Sequence, residues 1–226
     1  MKYTVLLLDI DDTILNFQSN EKQALTRVFQ DYHIDNNQEN WALYHRINRQ
    51  LWEDYEEGRI ERDVIFKERF TRFFSNLGLE ADGVVADQTY RRYLDEGHDV
   101  MPEAKEVLEI LKGKGYRLFA ATNGVASTQY RRLKDSQLYS MFDAIYISEE
   151  IGFQKPDERF FETIFQEHRL HKDDVLMIGD TLSSDIRGGN RYGIDTVWYD
   201  WKNQSNPNHI QPTYTIHHLS ELLQLL

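Results

Sequence analysis

The chain has no cysteine among its 226 residues. Disulfides, thiolate nucleophiles and cysteine-held zinc are therefore excluded. Long apolar runs are also missing. No stretch approaches the ~18 residues that a membrane helix needs. The run Val5-Leu6-Leu7-Leu8 after Lys2 is too short for a signal h-region and leads straight into acids. Positive charge is scarce: 26 Lys and Arg stand against 38 Asp and Glu, a formal net charge of -12. A polymeric nucleic acid held through a basic surface is repelled on average. A small phosphorylated metabolite is not excluded, because a local site can override the global field. No internal repeat or low-complexity linker is present. With 40% hydrophobic and 28% charged residues the composition is that of a globular chain. The expectation is a soluble, cytoplasmic protein without a membrane partner, monomeric or a weak homo-oligomer.

Apolar runs suggest the organisation. Residues 4–8, 118–121, 175–178 and 196–198 are continuous rather than alternating, with a weaker run at 143–147. Continuous runs suit strands buried on both faces of a parallel sheet. Helical stretches lie between them. Pro102 to Lys114 has Pro in the first turn, Glu103 and Glu106 near the positive end, and Gly115 as the stop. Asp157–His168 and Ser183–Tyr192 read as helices too. Alternation of this kind predicts an α/β fold with a doubly wound, Rossmann-like parallel sheet. Residues 17–98 break the rhythm. They hold helical patterns at 21–32, 39–56, 64–77 and 84–95 and no convincing strand, and Leu43, Ile47, Leu51 and Tyr55 mark one face. The expected division is a core of 1–16 and 99–226 with an all-helical cap domain of 17–98 seated over its active end. The polar segment 203–212 is expected to be a surface loop before a last strand and helix.

Four short segments carry the chemistry: Asp9-Ile10-Asp11-Asp12-Thr13, Ala121-Thr122-Asn123-Gly124, Gln154-Lys155-Pro156, and Gly179-Asp180-Thr181-Leu182-Ser183-Ser184-Asp185. Three of them directly follow a strand run, and ligands in open α/β sheets bind at the carboxyl ends of strands. Asp9 and Asp11 are two apart, so in extended backbone they project to one side and need a shared cation or proton. Magnesium suits hard oxygen ligands; manganese accepts the same set. Thr122 and the amides after it can hold phosphoryl oxygens. Lys155 can neutralise charge on a transferring phosphoryl group. Asp180 and Asp185 flank a turn that Gly179 permits. Each segment alone has an ordinary reading: turn-forming Asp with Thr13 as a helix cap, an Asn-Gly turn, a solvated lysine, a capped βα loop. Together, in this order at strand ends, those readings do not account for them.

The four segments resemble the motifs of the haloacid dehalogenase superfamily, in its phosphatase branch, and the helical insertion resembles a type-1 cap. Asp9-Ile10-Asp11-Asp12-Thr13-Ile14-Leu15, Leu51-Trp52-Glu53-Asp54-Tyr55, Thr122-Asn123-Gly124 and Ile147-Ser148-Glu149-Glu150-Ile151-Gly152-Phe153-Gln154-Lys155-Pro156 are similar to the bacterial pyrimidine 5'-nucleotidases of that superfamily. The resemblance implies that Asp9 attacks phosphorus and becomes an aspartyl-phosphate. Asp11 would protonate the leaving oxygen and then deprotonate the hydrolytic water. Thr122, Asn123 and Lys155 would hold the phosphate. Magnesium would be held by Asp9, the Asp11 backbone carbonyl and Asp180, with Asp185 behind them. Asp11 also separates this chain from haloacid dehalogenases and phosphonate hydrolases, which lack the second acid. Asp12 stands where many members carry Gly, and the sequence offers no role for it.

The cap should select the substrate. Its aromatics Trp41, Trp52, Tyr55, Phe66, Phe70, Phe73 and Phe74 fall on helical faces and read mainly as core, and Phe17 is placed to sit near the site. The histidines, among them His168, His171, His217 and His218, form no zinc-like set. The resulting expectation is a magnesium-dependent phosphatase of nucleoside 5'-monophosphates, pyrimidine ones favoured. A sugar-phosphate or phosphoglycolate phosphatase is the alternative within the class. A non-catalytic regulator that binds a phosphorylated ligand is the alternative outside it.

Overall fold

Six parallel strands form one sheet in the order β3-β2-β1-β4-β5-β6. They are β1 (Val5–Leu8), β2 (Arg117–Thr122), β3 (Ala144–Ile147), β4 (Val175–Gly179), β5 (Asp195–Tyr199) and β6 (Tyr214–Ile216). This is a computed structural model, and it describes residues 2–206 and 209–226. The expected loop at 203–212 therefore lies partly outside the described residues. Every apolar run named above is a strand. The sheet reverses direction at β1, where β2 pairs on one side and β4 on the other. That crevice is where the doubly wound order places ligands.

Strand residues alternate between two interiors, as a period of two requires. Leu6, Leu8, Leu118, Ala120, Leu176 and Ile178 pack on one face with Val107, Leu108 and Leu111. Val5, Leu7, Phe119, Ala121, Val175 and Met177 pack on the other with Phe160, Phe161 and Ile164. Both faces are thus covered, which is why the runs are continuously apolar.

The chain divides into two units, Met1–Phe17 with His98–Leu226, and Gln18–Gly97. The second unit is built from α1 (Phe17–Asp31), α2 (Gln38–Glu56), α3 (Arg62–Leu77) and α4 (Gly83–Glu96). Local signals set these ends. Asn37 accepts the Asn40 amide before α2, Asp82 accepts those of Val84 and Val85 before α4, and Gly78 closes α3 at φ 67. Within this unit Phe29, Tyr44, Phe70, Phe73, Phe74 and Tyr90 form a buried aromatic interior. Arg69 is buried among them and pairs with Asp87 at 2.5 Å. The expected stripe on α2 shifts: Tyr44, Leu51 and Tyr55 are buried, while Leu43 and Ile47 are only partly so. A strict four-residue spacing drifts around a helix of 3.6 residues per turn, so it cannot stay on one face.

The helices of the first unit are α5 (Ala104–Gly113), α6 (Ala126–Asp135), α7 (Ser148–Ile151), α8 (Glu158–His168), α9 (Arg187–Tyr192) and α10 (Leu222–Leu225). Two expectations need correction. Pro102 does not enter α5; it lies in a turn, and Glu103 precedes the helix at φ 65. The segment read as one helix from Ser183 begins as a wide π-type turn, Leu182–Ile186, before α9. That wide turn carries Ser184 and Asp185 inward, both buried.

Candidate active site

The carboxyl ends of β1, β2 and β4 converge on Lys155. Its Nζ lies 2.8 Å from Asp9 Oδ1, 2.6 Å from Asp185 Oδ1 and 2.5 Å from the Ala121 carbonyl. Lys155 is 1% exposed, so this is a buried cation with three oxygen acceptors. Asn123 fixes its backbone reciprocally: Nδ2 donates to the Lys155 carbonyl and Oδ1 accepts the Lys155 amide, each at 2.9 Å. The Asn123 side chain is thereby committed to Lys155, so any hold on phosphate would come from its main chain. Asp185 accepts the Thr181 amide at 3.1 Å with its other oxygen. Among the described residues, Lys155 is the cation paired with Asp9.

The charge balance of this cluster is unequal. Asp9, Asp180 and Asp185 bring ligand oxygens within 4.8 Å of one another and are all buried, and among the described residues they are the one metal-suited group of acids and histidines. Burial pushes the Asp9 carboxyl well up, Lys155 opposes, and the Asp185, Asp180 and Asp11 charges push it further. Burial likewise raises Asp180 to about 7, opposed by Lys202 and reinforced by Asp12 and Asp185. Burial alone would lower Lys155, but the charges and hydrogen bonds of Asp185 and Asp9 hold it above the ordinary lysine range. Hard oxygen donors in negative excess fit a divalent cation of the magnesium type.

Asp11 departs from the expected arrangement. Its carboxylate stands outside the Asp9, Asp180 and Asp185 group and is held by other side chains. Arg132 Nη1 lies 2.6 Å from Asp11 Oδ1, and Gln129 Nε2 lies 2.6 Å from Asp11 Oδ2. The reason is local: the chain leaves extended geometry after β1, with the Ile14 and Leu15 amides returning to the Ile10 carbonyl. The alternation of a strand then no longer applies. Phe17 lies beside this group, its ring 5.7 Å from the Arg132 guanidinium.

Thr122 is buried at the end of β2. Its Oγ1 accepts the Gly124 amide at 3.0 Å and Gln129 Nε2 at 3.1 Å. A hydroxyl has two lone pairs and one proton, so both acceptor positions are used. Thr122 is left to act as a donor, which is the role a phosphoryl oxygen requires.

Sequence reasoning missed four contributors. Gln129 and Arg132 sit on α6, which has no apolar periodicity to announce it. Lys202, after β5, bridges Asp12 Oδ2 at 2.7 Å and Asp180 Oδ2 at 3.6 Å. This gives Asp12 its partner and sets a cation beside Asp180. Trp198 donates its indole N–H to the Asp180 carbonyl at 3.0 Å. Of the histidines, His168 pairs with Tyr146 and Arg117, and His217 bonds the Asp200 carbonyl.

Two glycines take on a different meaning. A Cβ on Gly179 would stand 2.2 Å from Asp185 Oδ2, and one on Gly124 would stand 2.1 Å from Gln129 Nε2. Gly179 lies within β4, so it serves close approach of Asp185 and not a turn. Gly124 makes the same room for Gln129.

A carboxylate at the end of the central strand, a buried lysine between two acids and a donor hydroxyl on the neighbouring strand define a hydrolase site on a doubly wound sheet. The sequence profile of the haloacid dehalogenase-like hydrolases matches residues 6–199, and the chain belongs to that family. It is 41% identical to YfnB of Bacillus subtilis, named a HAD-hydrolase, across all of this chain and 96% of that one. The crystal structure of YfnB bound to magnesium superposes with a TM-score of 0.94 at 40% identity, covering 100% of this chain and 99% of the other. Pyrimidine 5'-nucleotidase PynA of Streptococcus pneumoniae is 38% identical over 100% of this chain and 96% of its own. Pyrimidine 5'-nucleotidase YjjG of Escherichia coli is 32% identical over 100% and 99%. No helix among the described residues is long and apolar enough to cross a membrane.

Proposed function

We propose that the protein is a magnesium-dependent phosphomonoesterase that cleaves nucleoside 5'-monophosphates, pyrimidine ones preferred, through an aspartyl-phosphate on Asp9. The observation that carries the chemistry is the buried Asp9–Lys155–Asp185 chain at 2.8 and 2.6 Å beside Asp180. The substrate class rests on the full-length likeness to two pyrimidine 5'-nucleotidases.

In the first step an Asp9 oxygen forms a bond to phosphorus and the ester P–O bond breaks. Lys155 balances the charge on Asp9 and the phosphoryl group, and Thr122 donates to a phosphoryl oxygen. Asp11 gives its proton to the departing ester oxygen, releasing the nucleoside. In the second step Asp11 takes a proton from water as that water attacks phosphorus. The Asp9–phosphorus bond breaks, inorganic phosphate leaves and Asp9 is regenerated. Asp9, the Asp11 carbonyl and Asp180 would hold the cation, with Asp185 orienting Lys155 behind them. When bound it supplies positive charge that orients the phosphate and reduces repulsion between two anions. The helical unit, read as a type-1 cap over 17–98, would supply substrate selection.

The test is phosphate release with magnesium across UMP, dUMP, dTMP, purine monophosphates, phosphoglycolate and sugar phosphates. Preference for pyrimidine monophosphates, abolished by chelator, is expected. Preference for a sugar phosphate or phosphoglycolate would keep the mechanism and overturn the substrate. Stoichiometric binding of a phosphorylated ligand without release would overturn the enzyme.

A further inference from the structure

Helix α6 presents two polar side chains to the interior, where burial is costly unless every group has a partner. Gln129 and Arg132 are each 1% exposed. Their spacing of three places them on one helix face. Between them they take both oxygens of Asp11, at 2.6 Å each. The amide orientation of Gln129 is self-consistent: its NH₂ faces the carboxylate and the Thr122 hydroxyl, while its Oε1 lies 3.4 Å from Arg132 Nη1. Gln129 thus touches two groups from different strand ends, Asp11 after β1 and Thr122 on β2. The backbone accommodates it, since only a residue without Cβ at position 124 leaves room for its amide.

A two-point hold of this kind, with one donor on each oxygen, restrains both the position and the rotation of a carboxylate. A side chain 29% exposed on a turn would otherwise sample several rotamers. We propose that Gln129 and Arg132 are positioning residues that set where the Asp11 carboxyl meets the leaving-group oxygen, and that Gln129 ties this position to the Thr122 hydroxyl gripping the phosphoryl group. The inference rests on Asp11 being the proton donor, as read above. One helix would then hold the acid and the phosphate grip in a fixed mutual geometry, which proximity effects in catalysis require.

The test uses leaving groups. kcat/KM reports only the steps through phosphoryl transfer to Asp9, so the later hydrolysis does not enter. 4-Nitrophenyl phosphate expels a stable phenolate that needs little protonation, whereas an alkyl phosphomonoester needs the acid. Gln129→Met, Arg132→Met and Arg132→Lys are compared with Asp11→Asn on both substrates, the alkyl ester being the one the wild type hydrolyses best. Loss of the phosphate grip or of folded protein lowers both rates alike and cancels in the alkyl-to-aryl ratio. A positioned acid contributes ~10²–10⁴-fold, so the ratio is expected to fall at least about ten-fold in Gln129→Met and Arg132→Met. Arg132→Lys, which keeps the charge, should recover part of it. An unchanged ratio in the Gln129 and Arg132 variants, with a collapsed ratio in Asp11→Asn, would overturn the proposal and leave the acid in place. An unchanged ratio in Asp11→Asn would instead overturn Asp11 as the acid, and the proposal with it. If Arg132→Met does not fold, Gln129→Met carries the test, because Met matches Gln in length without its donors.

Discussion

Lys155 shows how much of the site depends on one charge. It is fully buried between Asp9 and Asp185, and among the described residues it is the cation that pairs with both acids. Removing one partner of a buried pair typically costs about 3–5 kcal/mol, because the other is left uncompensated. Lys155→Met is therefore expected to lower stability by that order in chemical denaturation and to abolish phosphate release. Unchanged stability would contradict the buried pair. Gly179→Ala places a methyl 2.2 Å from Asp185 Oδ2. Overpacking of this kind costs about 1–3 kcal/mol, so a lower melting temperature together with lost activity is expected. The acids, Thr122 and Lys155 were legible in sequence because motif order and strand ends announced them. Lys202 was not: it meets Asp12 across 190 positions, and nothing local distinguishes it from a solvated lysine. The backbone of Asp12, at φ 58, is of the kind glycine favours.

Among the elements, those with apolar periodicity were located, although the start of α5, the turn before α9 and the stripe on α2 needed correction, and α6 was missed. The reason is physical. Its buried face is Thr128, Gln129, Arg132 and Leu133, so the side that faces the interior is mostly polar and leaves no apolar stripe. Polar groups bury there because Asp11 and Thr122 answer them, and that answer lies in other segments. Helix α8 had an open signal. Asp157 accepts the Arg159 amide at 2.9 Å at its start. Asp157→Ala is expected to cost about 1 kcal/mol with catalysis retained, read by thermal melting and phosphate release. The hydrogen bonds and charge of Arg159 hold the Asp157 carboxyl below its ordinary value. A depressed acid contributes above its unfolded pKa and loses that contribution as pH falls, so the difference between wild type and Asp157→Ala should narrow in acid. A constant difference down to acid pH would contradict this.

For the whole molecule, pH and cation binding are linked through the buried acids. Asp180 is raised to about 7 by burial, against about 3.9 in an unfolded chain. The folded state therefore binds the extra proton between those values, and stability falls as pH rises through that window. A cation held by the ionised carboxylate must expel that proton below about pH 7 and need not above it. The rise in melting temperature on adding magnesium should be larger at pH 8 than at pH 6 at one metal concentration. Equal rises would place the cation elsewhere. The sheet was legible at this scale because burial on both faces demands unbroken apolar runs. The inserted helical segment was legible because it broke that pattern. What escaped sequence reading were the side-chain pairs that join distant segments, since composition and periodicity carry no record of partners.

The most direct measurement is chemical trapping of the phosphorylated residue. Enzyme turning over substrate is quenched with borohydride, which reduces an aspartyl-phosphate to a homoserine side chain, and the peptide holding residues 3–22 is sequenced by mass spectrometry. Substrate-dependent reduction at position 9, absent in Asp9→Asn, is the predicted result. Full turnover with position 9 unmodified, or with the label at another carboxylate, would contradict a mechanism built on Asp9.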